Sequence, residues 1–554
     1  MNARKWIPSL AVALNLFAGC LSPGIGQVNE SYTNINLSQP NSNTGNQDSV
    51  TQTTHTVISA SNNTAMEDGI VAEGDGWQVS KRTLRGGLQE GVELIQVDNG
   101  SMKFAVIVTR GMGIYKIESD ELNLGWDSPV KQIVHPQFVD LNDNSGLGWL
   151  AGFNELVCRC GLAFAGGPGE DNGTMLTLHG RIANTPASEV EVVIDDEAPH
   201  TIRVRGLLEE KMFKFGNFEL WTEVSTTPGS NSLRIDDRLV NRGAYDAEYQ
   251  LIYHTNFGKP LLEEGAKFVG AVNEIFPMDN YAGKDLESFD TYLGPTPNYG
   301  EQVYNMRMRY DETGQTTVML KNRDSSKGVA LRYHVDSLPC FNLWKNTEPD
   351  VEGYVTGLEP ATGFPFNRSI ERANGRVLKL APDTEKRFQL ELTMLPNKES
   401  VADTQSTIEE LRGDNETQVN SSPPNGPQEP SYVTVQHILI GFEGSVPGKE
   451  ISRTKAEAEE LANVILDRAT QGAVFEDLVR EFSDDDPVGI YQMANYGLPG
   501  DYDPPEVADK IFPRGGMVPA FGNVGFPLKL NDVGLADYDP ETSKYGWHII
   551  KRVK

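Results

Sequence analysis

Residues 387–395 read Arg-Phe-Gln-Leu-Glu-Leu-Thr-Met-Leu, so that Phe388, Leu390, Leu392 and Met394 alternate with polar neighbours. A side-chain period of two is typical of a β-strand with one buried face. Similar alternation recurs between residues 76 and 396, where Gly- and Asn-rich turns separate the alternating segments. Many strands over this length predict a large antiparallel β-sandwich.

Composition limits the kinds of partner. The chain has 554 residues, of which 38% are hydrophobic and 23% charged, and a formal net charge of −30. At roughly 150 residues per domain, this length suggests about two to four domains. The acidic excess argues against nucleic acid as a partner and against a basic membrane-binding patch, because both need clustered Lys and Arg.

Residues 1–20 have the features of an export signal peptide. Arg4 and Lys5 precede an apolar stretch that is shorter than the ~20 residues of a membrane-spanning helix. The stretch ends in Phe-Ala-Gly-Cys, which resembles a bacterial lipoprotein box with Cys20 as the lipidated residue. We therefore expect an exported protein of the periplasm or cell envelope, which would meet the membrane only through a lipid on Cys20.

Two polar tracts divide the remaining chain. Residues 21–75 are rich in Asn, Ser, Thr and Gln, and they predict a disordered tether because they offer little apolar surface to bury. Residues 397–430 include Ser-Ser-Pro-Pro-Asn-Gly-Pro and predict an interdomain linker. The sequence thus predicts a multidomain chain, with the β-sandwich at 76–396 and a small α+β domain at 431–554.

The C-terminal domain combines strand and helix patterns. Residues 433–440 alternate like a strand, and apolar residues recur at helical spacing between Ala458 and Ala469. Ser452 or Thr454 would cap this helix at its N-terminus, and the chain ends on another strand pattern.

Separate motifs in this domain carry a family resemblance. They are His437-Ile-Leu-Ile440, Phe482-Ser-Asp-Asp485, Gly516-Met-Val-Pro-Ala-Phe521 and Tyr545-Gly-Trp-His-Ile-Ile550. In this order they resemble a parvulin-type (PpiC, rotamase) peptidyl-prolyl cis-trans isomerase. The resemblance implies a four-stranded sheet with surrounding helices and an isomerase activity on proline-containing polypeptides. The Gly-Asp-Leu-Gly signature of the family is missing after Asp485. This difference leaves open the alternative that the domain binds peptides without catalysing isomerisation.

The resemblance also assigns roles to individual residues. His437 and His548 match the paired histidines of the family, and Met517 and Phe521 match its proline pocket. Asp485 falls where relatives carry Cys or Asp, and we expect it to tune the field near the amide. A barrier of about 18–20 kcal/mol opposes rotation about the peptide bond. An apolar cup and suitable polar groups lower this barrier without a cofactor. The Asp run at 484–486 indicates a solvated helix end rather than a metal site.

Short motifs in the body resemble the galactose mutarotase (aldose 1-epimerase) superfamily. They are Leu178-His-Gly180, Tyr253-His-Thr-Asn-Phe-Gly258 and Gly357-Leu-Glu-Pro360, and Thr109-Arg-Gly-Met-Gly113 and Gly152-Phe-Asn-Glu155 indicate an uncharacterised branch. The resemblance implies a large twisted sandwich with a sugar site on its concave face.

The motif match gives this body an acid and a base. Glu359 would be the base that accepts the proton of the anomeric hydroxyl, and His254 the acid that protonates the ring oxygen. His179 would donate a hydrogen bond to the sugar. Further expected sugar contacts are Asn154, Arg159, Trp344 and Lys345, with the indole of Trp344 as a stacking surface. Neither reaction requires a metal or another cofactor, and we expect none.

Three functional hypotheses follow. The first is a peptidyl-prolyl isomerase for exported proteins, joined to a domain that binds or epimerises a sugar. The second makes aldose 1-epimerisation the main activity, and the third is a surface protein whose two domains only bind ligands. Cys158 and Cys160 are spaced too tightly for a zinc half-site, and they indicate buried structural thiols.

Overall fold

The computed structural model describes residues 51–424, 430, 432–485, 489–495, 500, 510–540 and 542–554. The predicted signal peptide with Cys20 lies outside these residues, and so does most of the predicted tether. In the part of the chain that is described, no helix is long and apolar enough to span a bilayer.

The body is built almost entirely from β-strands. In chain order they are β1 (Gln52–Ser59), β2 (Thr64–Ala65), β3 (Gly69–Gly74), β4 (Trp77–Thr83), β5 (Glu93–Asp98), β6 (Lys103–Ile107), β7 (Gly113–Glu118), β8 (Val157–Leu162), β9 (Gly169–Asp171), β10 (Thr174–Leu176), β11 (Glu189–Asp195), β12 (Ile202–Lys211), β13 (Asn217–Thr226), β14 (Ser232–Asn241), β15 (Ala247–Phe257), β16 (Lys267–Gly270), β17 (Val272–Pro277), β18 (Gln302–Met308), β19 (Gln315–Lys321), β20 (Gly328–His334), β21 (Cys340–Asn346), β22 (Val355–Ala361), β23 (Leu378–Leu380), β24 (Glu385–Leu395) and β25 (Gln418–Val419). Its helices are α1 (Asp143–Gly146), α2 (Arg368–Ala373) and α3 (Lys398–Arg412).

These strands form two large sheets. The back sheet has the order β16-β19-β20-β24-β14-β13-β12-β11-β1-β2. The front sheet has the order β25-β17-β18-β21-β22-β15-β8-β7-β6-β5-β4-β3, with β23 beside β15, and β9 and β10 form a separate ribbon. Nearly all pairings are antiparallel, and β17 with β25 is a parallel exception.

One apolar core joins the two sheets. The alternating residues of β24, such as Phe388, face it, and the ring of Phe388 lies 6.5 Å from the ring of Tyr253 on the front sheet. The predicted antiparallel β-sandwich is confirmed. Because β24 alternates so strictly, its buried face could be read directly from the sequence.

Two predicted domain boundaries are wrong. The tether was expected to reach residue 75, but β1 pairs with β11 and β3 pairs with β4 inside the sheets. Most side chains of β1 are polar and exposed, and β3 is a short edge strand with a single buried side chain, so composition concealed both strands. The body therefore includes residues from Gln52 onward.

The predicted linker at 397–430 also contains folded structure. Asn397 caps α3 through a reciprocal bond with Ser400, and Val401 and Ile408 are buried against the back sheet. Farther along, β25 pairs with β17. Two buried residues in a long polar helix give a weak apolar pattern, which explains why the helix was not predicted.

The C-terminal domain is a sheet with helices packed on it. The strands are β26 (Tyr432–Ile440), β27 (Ile490–Ala494), β28 (Ile511–Pro513), β29 (Val533–Ala536) and β30 (Trp547–Arg552), and the helices are α4 (Lys455–Thr470), α5 (Phe475–Phe482) and α6 (Pro519–Gly525). The order is β28-β27-β26-β30-β29, so the described sheet has five strands where the resemblance implied four. The additional strand is the three-residue β28, which runs parallel to β27. Thr454 caps α4 in a capping box with Glu457, as one of the two predicted caps.

Candidate functional site

A row of polar side chains crosses the outer face of the front sheet. Cys158 on β8 lies opposite His254 on β15, and Glu359 on β22 lies opposite Asn342 on β21, which in turn faces Asn305 on β18. The pairing of β15 with β22 places His254 beside Glu359 in the same row. Their sequence neighbours, such as Tyr253, Leu358, Leu343 and Tyr304, point to the core between the sheets. Alternation along each strand therefore turns this whole row to the outer face.

The centre of the row is a histidine–carboxyl pair. Nε2 of His254 lies 3.2 Å from Oε1 of Glu359, and both side chains are buried. Burial raises the pKa of the Glu359 carboxyl to about 8, although Asn342 partly opposes this. Burial lowers the pKa of His254 to about 3. Both shifts favour the uncharged forms, so at neutral pH the pair holds one shared proton between Oε1 and Nε2.

Asn256 fixes the orientation of His254. Its amide nitrogen donates to the carbonyl oxygens of Glu155 and His254, which leaves its oxygen to accept a hydrogen bond. Nδ1 of His254 lies 2.6 Å from that oxygen and must be the donor. The other nitrogen, Nε2, is thereby directed at Glu359, in an arrangement suited to proton exchange.

Gly357 makes room for the carboxyl group. A Cβ at this position would lie 2.5 Å from Oε1 of Glu359 and 3.2 Å from the indole of Trp344. Glycine is the residue that lets the carboxyl and the indole approach the backbone this closely. The Gly-Leu-Glu motif is thus explained by the shape of the site.

Aromatic rings enclose His254. Ring centroids lie 5.2 Å away for Phe153, 5.4 Å for Trp344, 5.4 Å for His179 and 5.9 Å for Trp149. The indole nitrogen of Trp344 donates to Glu301 at 2.9 Å. A low-polarity wall of this kind strengthens the electrostatic effect of the few polar groups inside it.

His179 adopts a left-handed backbone conformation with φ of 58°. Its Nδ1 lies 2.8 Å from the carbonyl oxygen of Ala165 and must donate to it. Burial lowers the pKa of His179 to about 4, so the ring is neutral and its Nε2 is a hydrogen-bond acceptor. The expected role as a donor to the sugar is therefore corrected to that of an acceptor.

Two further sequence motifs meet behind the site. The guanidinium of Arg110 forms a buried ion pair with Glu155, with 2.9 Å between Nε and Oε1. Arg110 also donates to the carbonyl oxygens of Val134 and Gly152. This ion pair anchors the loop that carries Phe153, and so positions the aromatic wall.

Two of the expected sugar contacts, Arg159 and Lys345, point away from this face, and a third, Asn154, is held by a loop. Arg159 points between the two sheets and forms a fully buried ion pair with Asp237. Lys345 is also turned inward and donates to the carbonyl oxygens of Phe289 and Thr291. The amide of Asn154 donates to two loop carbonyls. The assignment of Arg159 and Lys345 to the sugar site is corrected, because both serve the fold through partners within the protein. The oxygen of the Asn154 amide is buried without a partner among the described residues, so its sugar contact stays a prediction.

The thiols of Cys158, Cys160 and Cys340 are free and buried. They belong to the apolar cluster that includes Trp149 and Phe153. Burial raises the pKa of Cys158, so this thiol is protonated and unreactive.

A second site lies in the C-terminal domain. His437 on β26 and His548 on β30 are diagonal neighbours, with ring centroids 5.4 Å apart and planes at 89°. The ring of Phe521 on α6 lies 4.8 Å from His437 and 5.7 Å from His548. Met517 packs in the same apolar cluster as Phe521. The structure therefore brings together the paired histidines and the expected proline-pocket residues.

Asp485 joins this second site through two contacts. Its Oδ2 lies 3.1 Å from Nε2 of His437 and accepts a hydrogen bond of 2.8 Å from Tyr491. The neighbouring Asp484 pairs with Arg453 at 2.7 Å. The interpretation of this acidic run as a solvated helix end is wrong for both residues, and Asp486 lies outside the described part. Burial lowers the pKa of His548 to about 3, which keeps its ring neutral.

Sequence reasoning missed several members of both sites. Asn256 could have been found, because it stands two residues after His254 and must share its face of the strand. Tyr491 could not, since an aromatic residue in a strand is usually a core residue. Within the described residues, no group of His, Cys, Asp and Glu side chains is arranged to hold a metal ion.

Comparisons with known families agree with this architecture. Residues 89–394 match the model of a family described as a domain of unknown function (DUF4432), and residues 425–554 match the model of the PPIC-type PPIASE domain. No curated protein matches the chain significantly.

Solved structures resemble the body. A protein from Klebsiella pneumoniae subsp. pneumoniae MGH 78578, described as a candidate aldose 1-epimerase, is 37% identical, with a TM-score of 0.67 over 68% of this chain and 100% of that chain. Galactose 1-epimerase from Lactobacillus acidophilus NCFM is 13% identical, with a TM-score of 0.39 over 57% of this chain and 98% of that chain. The Klebsiella structure and the PPIC match confirm both expected domain folds.

Proposed function

The chain belongs to the DUF4432 family, and on this premise we propose that its β-sandwich is an aldose 1-epimerase, which interconverts the anomers of a cyclic sugar. The observation that carries the proposal is the 3.2 Å contact between His254 and Glu359 inside an aromatic enclosure. The similarity of the body to the Klebsiella structure supports the same reaction class.

Mutarotation needs one acid and one base that act together. Glu359 accepts the proton of the anomeric hydroxyl while the bond between C1 and the ring oxygen breaks, and His254 donates a proton to that oxygen. Rotation about the C1–C2 bond exposes the other face of the aldehyde. Ring closure then reverses both proton transfers and gives the other anomer.

The proton count of the pair suits this cycle. In the uncharged resting pair the proton lies on Glu359, and its transfer to Nε2 of His254 across the 3.2 Å contact makes Glu359 the base and His254 the acid. After ring opening the proton lies on Glu359 again. The pair holds one proton in both states, and no proton has to come from solvent. Neutral His179 would accept a hydrogen bond from a sugar hydroxyl, and Trp344 would cover a face of the ring.

Polarimetry on freshly dissolved D-galactose and D-glucose tests the proposal. The full chain should accelerate the approach to anomeric equilibrium, and Glu359→Gln should lower the rate by about 10²–10⁴-fold. The exposed Glu118 offers a matched control, since Glu118→Gln should leave the rate unchanged. No acceleration together with calorimetric binding of a sugar would leave a carbohydrate-binding domain without catalysis.

The C-terminal domain supports a second activity. It is a PPIC-type domain, and we infer that it catalyses cis-trans isomerisation of X-Pro bonds in exported polypeptides. The perpendicular histidines under Phe521 support this activity, because an apolar cup with polar groups beside it suits a twisted amide. NMR exchange measurements on a proline-containing peptide test it, and an unchanged exchange rate would leave a peptide-binding role.

The proposed location follows from the N-terminal sequence. We propose export through residues 1–20 and a periplasmic or envelope location, with Cys20 as a lipid attachment site. Mass spectrometry of the mature protein would decide this, because a diacylated N-terminal cysteine has a characteristic mass. The sugar-binding and peptide-binding domains would then both face the extracytoplasmic space.

A further inference from the structure

Two buried amides in the site have no hydrogen-bond partner among the described residues. They are the side chains of Asn342 and Asn305, whose oxygens and nitrogens make no hydrogen bond of normal length and angle. Asn342 lies near enough to Glu359 to lower the pKa of its carboxyl, but too far or too poorly aligned to satisfy its amide. Both residues are fully buried. Leaving such a group unpaired in a protein interior costs free energy, so an orphaned pair calls for a ligand or a bound water.

These amides continue the row of the histidine–carboxyl pair. Across adjacent strands the order is His254, Glu359, Asn342 and Asn305. Neighbouring strands lie about 4.8 Å apart, so Asn342 is next to the carboxyl and Asn305 is one strand farther. Apolar side chains such as Phe364 and Cys340 form a cluster on this face of the sheet.

The order of the row matches the order of oxygens around a sugar ring. The anomeric carbon has the ring oxygen on one side and C2 on the other. His254 serves the ring oxygen and Glu359 the anomeric hydroxyl in the proposed function, on which this inference rests. The side of Glu359 away from His254 therefore faces C2 and then C3.

We propose that Asn342 binds the 2-hydroxyl and Asn305 the 3-hydroxyl of the sugar. The preferred substrate class is then an aldose with free hydroxyls at both positions. An amide can donate to and accept from a hydroxyl, which satisfies groups that the protein itself leaves unpaired. A sugar that lacks the hydroxyl leaves the amide unpaired again and is rejected.

Deoxy sugars test the assignment. The wild-type protein should turn over D-glucose with a kcat/KM at least on the order of tenfold above that for 2-deoxy-D-glucose. Asn342→Leu should abolish this preference while it retains a preference against 3-deoxy-D-glucose, and Asn305→Leu should do the reverse. The two variants are matched controls for each other. Unchanged preference in both variants would overturn the inference while the epimerase activity stands.

Thermal unfolding of the ligand-free protein gives an independent readout. If the amides are reserved for a ligand, both leucine variants should have a Tm equal to or above that of the wild type. A Tm lowered by several degrees would show that the fold uses the amides, and would overturn the inference without bearing on catalysis. If the wild-type protein turns over none of these sugars, the proposed function itself fails, and the sugar assignment of the amides fails with it.

Discussion

Nε2 of His254 lies 3.2 Å from Oε1 of Glu359, on neighbouring strands of the front sheet. Burial opposes the charge of both groups, because it raises the pKa of Glu359 to about 8 and lowers the pKa of His254 to about 3. At neutral pH the carboxyl of Glu359 and the Nε2 atom of His254 therefore hold one proton between them. This shared proton is the basis of the proposed reaction.

The rate of mutarotation should have a broad pH optimum. When pH rises through about 8, the pair loses its proton and no acid remains for the ring oxygen. When pH falls towards about 3, the pair gains a second proton and no base remains. Values of kcat/KM corrected for the spontaneous reaction should therefore be flat near neutrality and decline on both sides. A rate that keeps rising well above pH 8 would contradict the shared proton.

Replacement of Gly357 by alanine should impair catalysis more than folding. The added Cβ would lie 2.5 Å from Oε1 of Glu359, so the carboxyl must move away from His254. We expect at least about a tenfold loss of kcat, since displacement by about 1 Å can cost far more than that. Circular dichroism should show an unchanged β-sheet signal. Wild-type kcat in Gly357→Ala would mean that the position of the carboxyl is not critical.

Arg159 should prove to be a structural residue. It is fully buried with Asp237 and also donates to Thr222 and to the carbonyl oxygen of Met112. Arg159→Met leaves a buried carboxylate unpaired and should lower the free energy of unfolding by about 3–5 kcal/mol. Denaturant unfolding measures this loss. The double variant with Asp237→Leu should regain much of the stability, whereas equal instability of both variants would contradict the account.

Peptidyl-prolyl isomerisation should depend on the histidine pair. His548→Ala removes the ring that lies 5.4 Å from His437 and opens the packing against Phe521, so the catalysed rate should fall by about tenfold or more. His55 lies on β1 in the body, and His55→Ala is the control that should keep the wild-type rate. NMR exchange of a proline-containing peptide measures both. Equal rates for the two variants would remove the histidine pair from the mechanism.

The sequence predicts the architecture where side-chain periodicity is strong. Strict alternation in β24 and helical spacing in α4 each indicated the correct element. Strand β1, which lies near the edge of its sheet, and the mostly polar helix α3 bury too few residues to give a clear hydrophobic period. For this reason the predicted tether and the predicted linker were both too long, and each included segments that are folded.

The same distinction applies to the site residues. The motifs of His254, Glu359 and His179 identified side chains that the fold brings together. Arg159 was misassigned because a charged residue beside a motif suggests ligand binding, whereas strand alternation turns it to the opposite face. The row from Glu359 to Asn305 depends on the register between strands that are far apart in sequence. That register cannot be derived from a single sequence, so the row was not predicted.

Anomer exchange of D-galactose, measured by NMR on the full chain and on His254→Gln, Glu359→Gln and the double variant, tests the shared-proton mechanism most directly. Because the two residues act as a unit, each single variant should lose about 10²–10⁴-fold in rate, and the double variant should be no slower than the slower single variant. Exchange no faster than in buffer with the wild-type protein, or single variants with wild-type rates, would contradict the claim that this pair catalyses mutarotation.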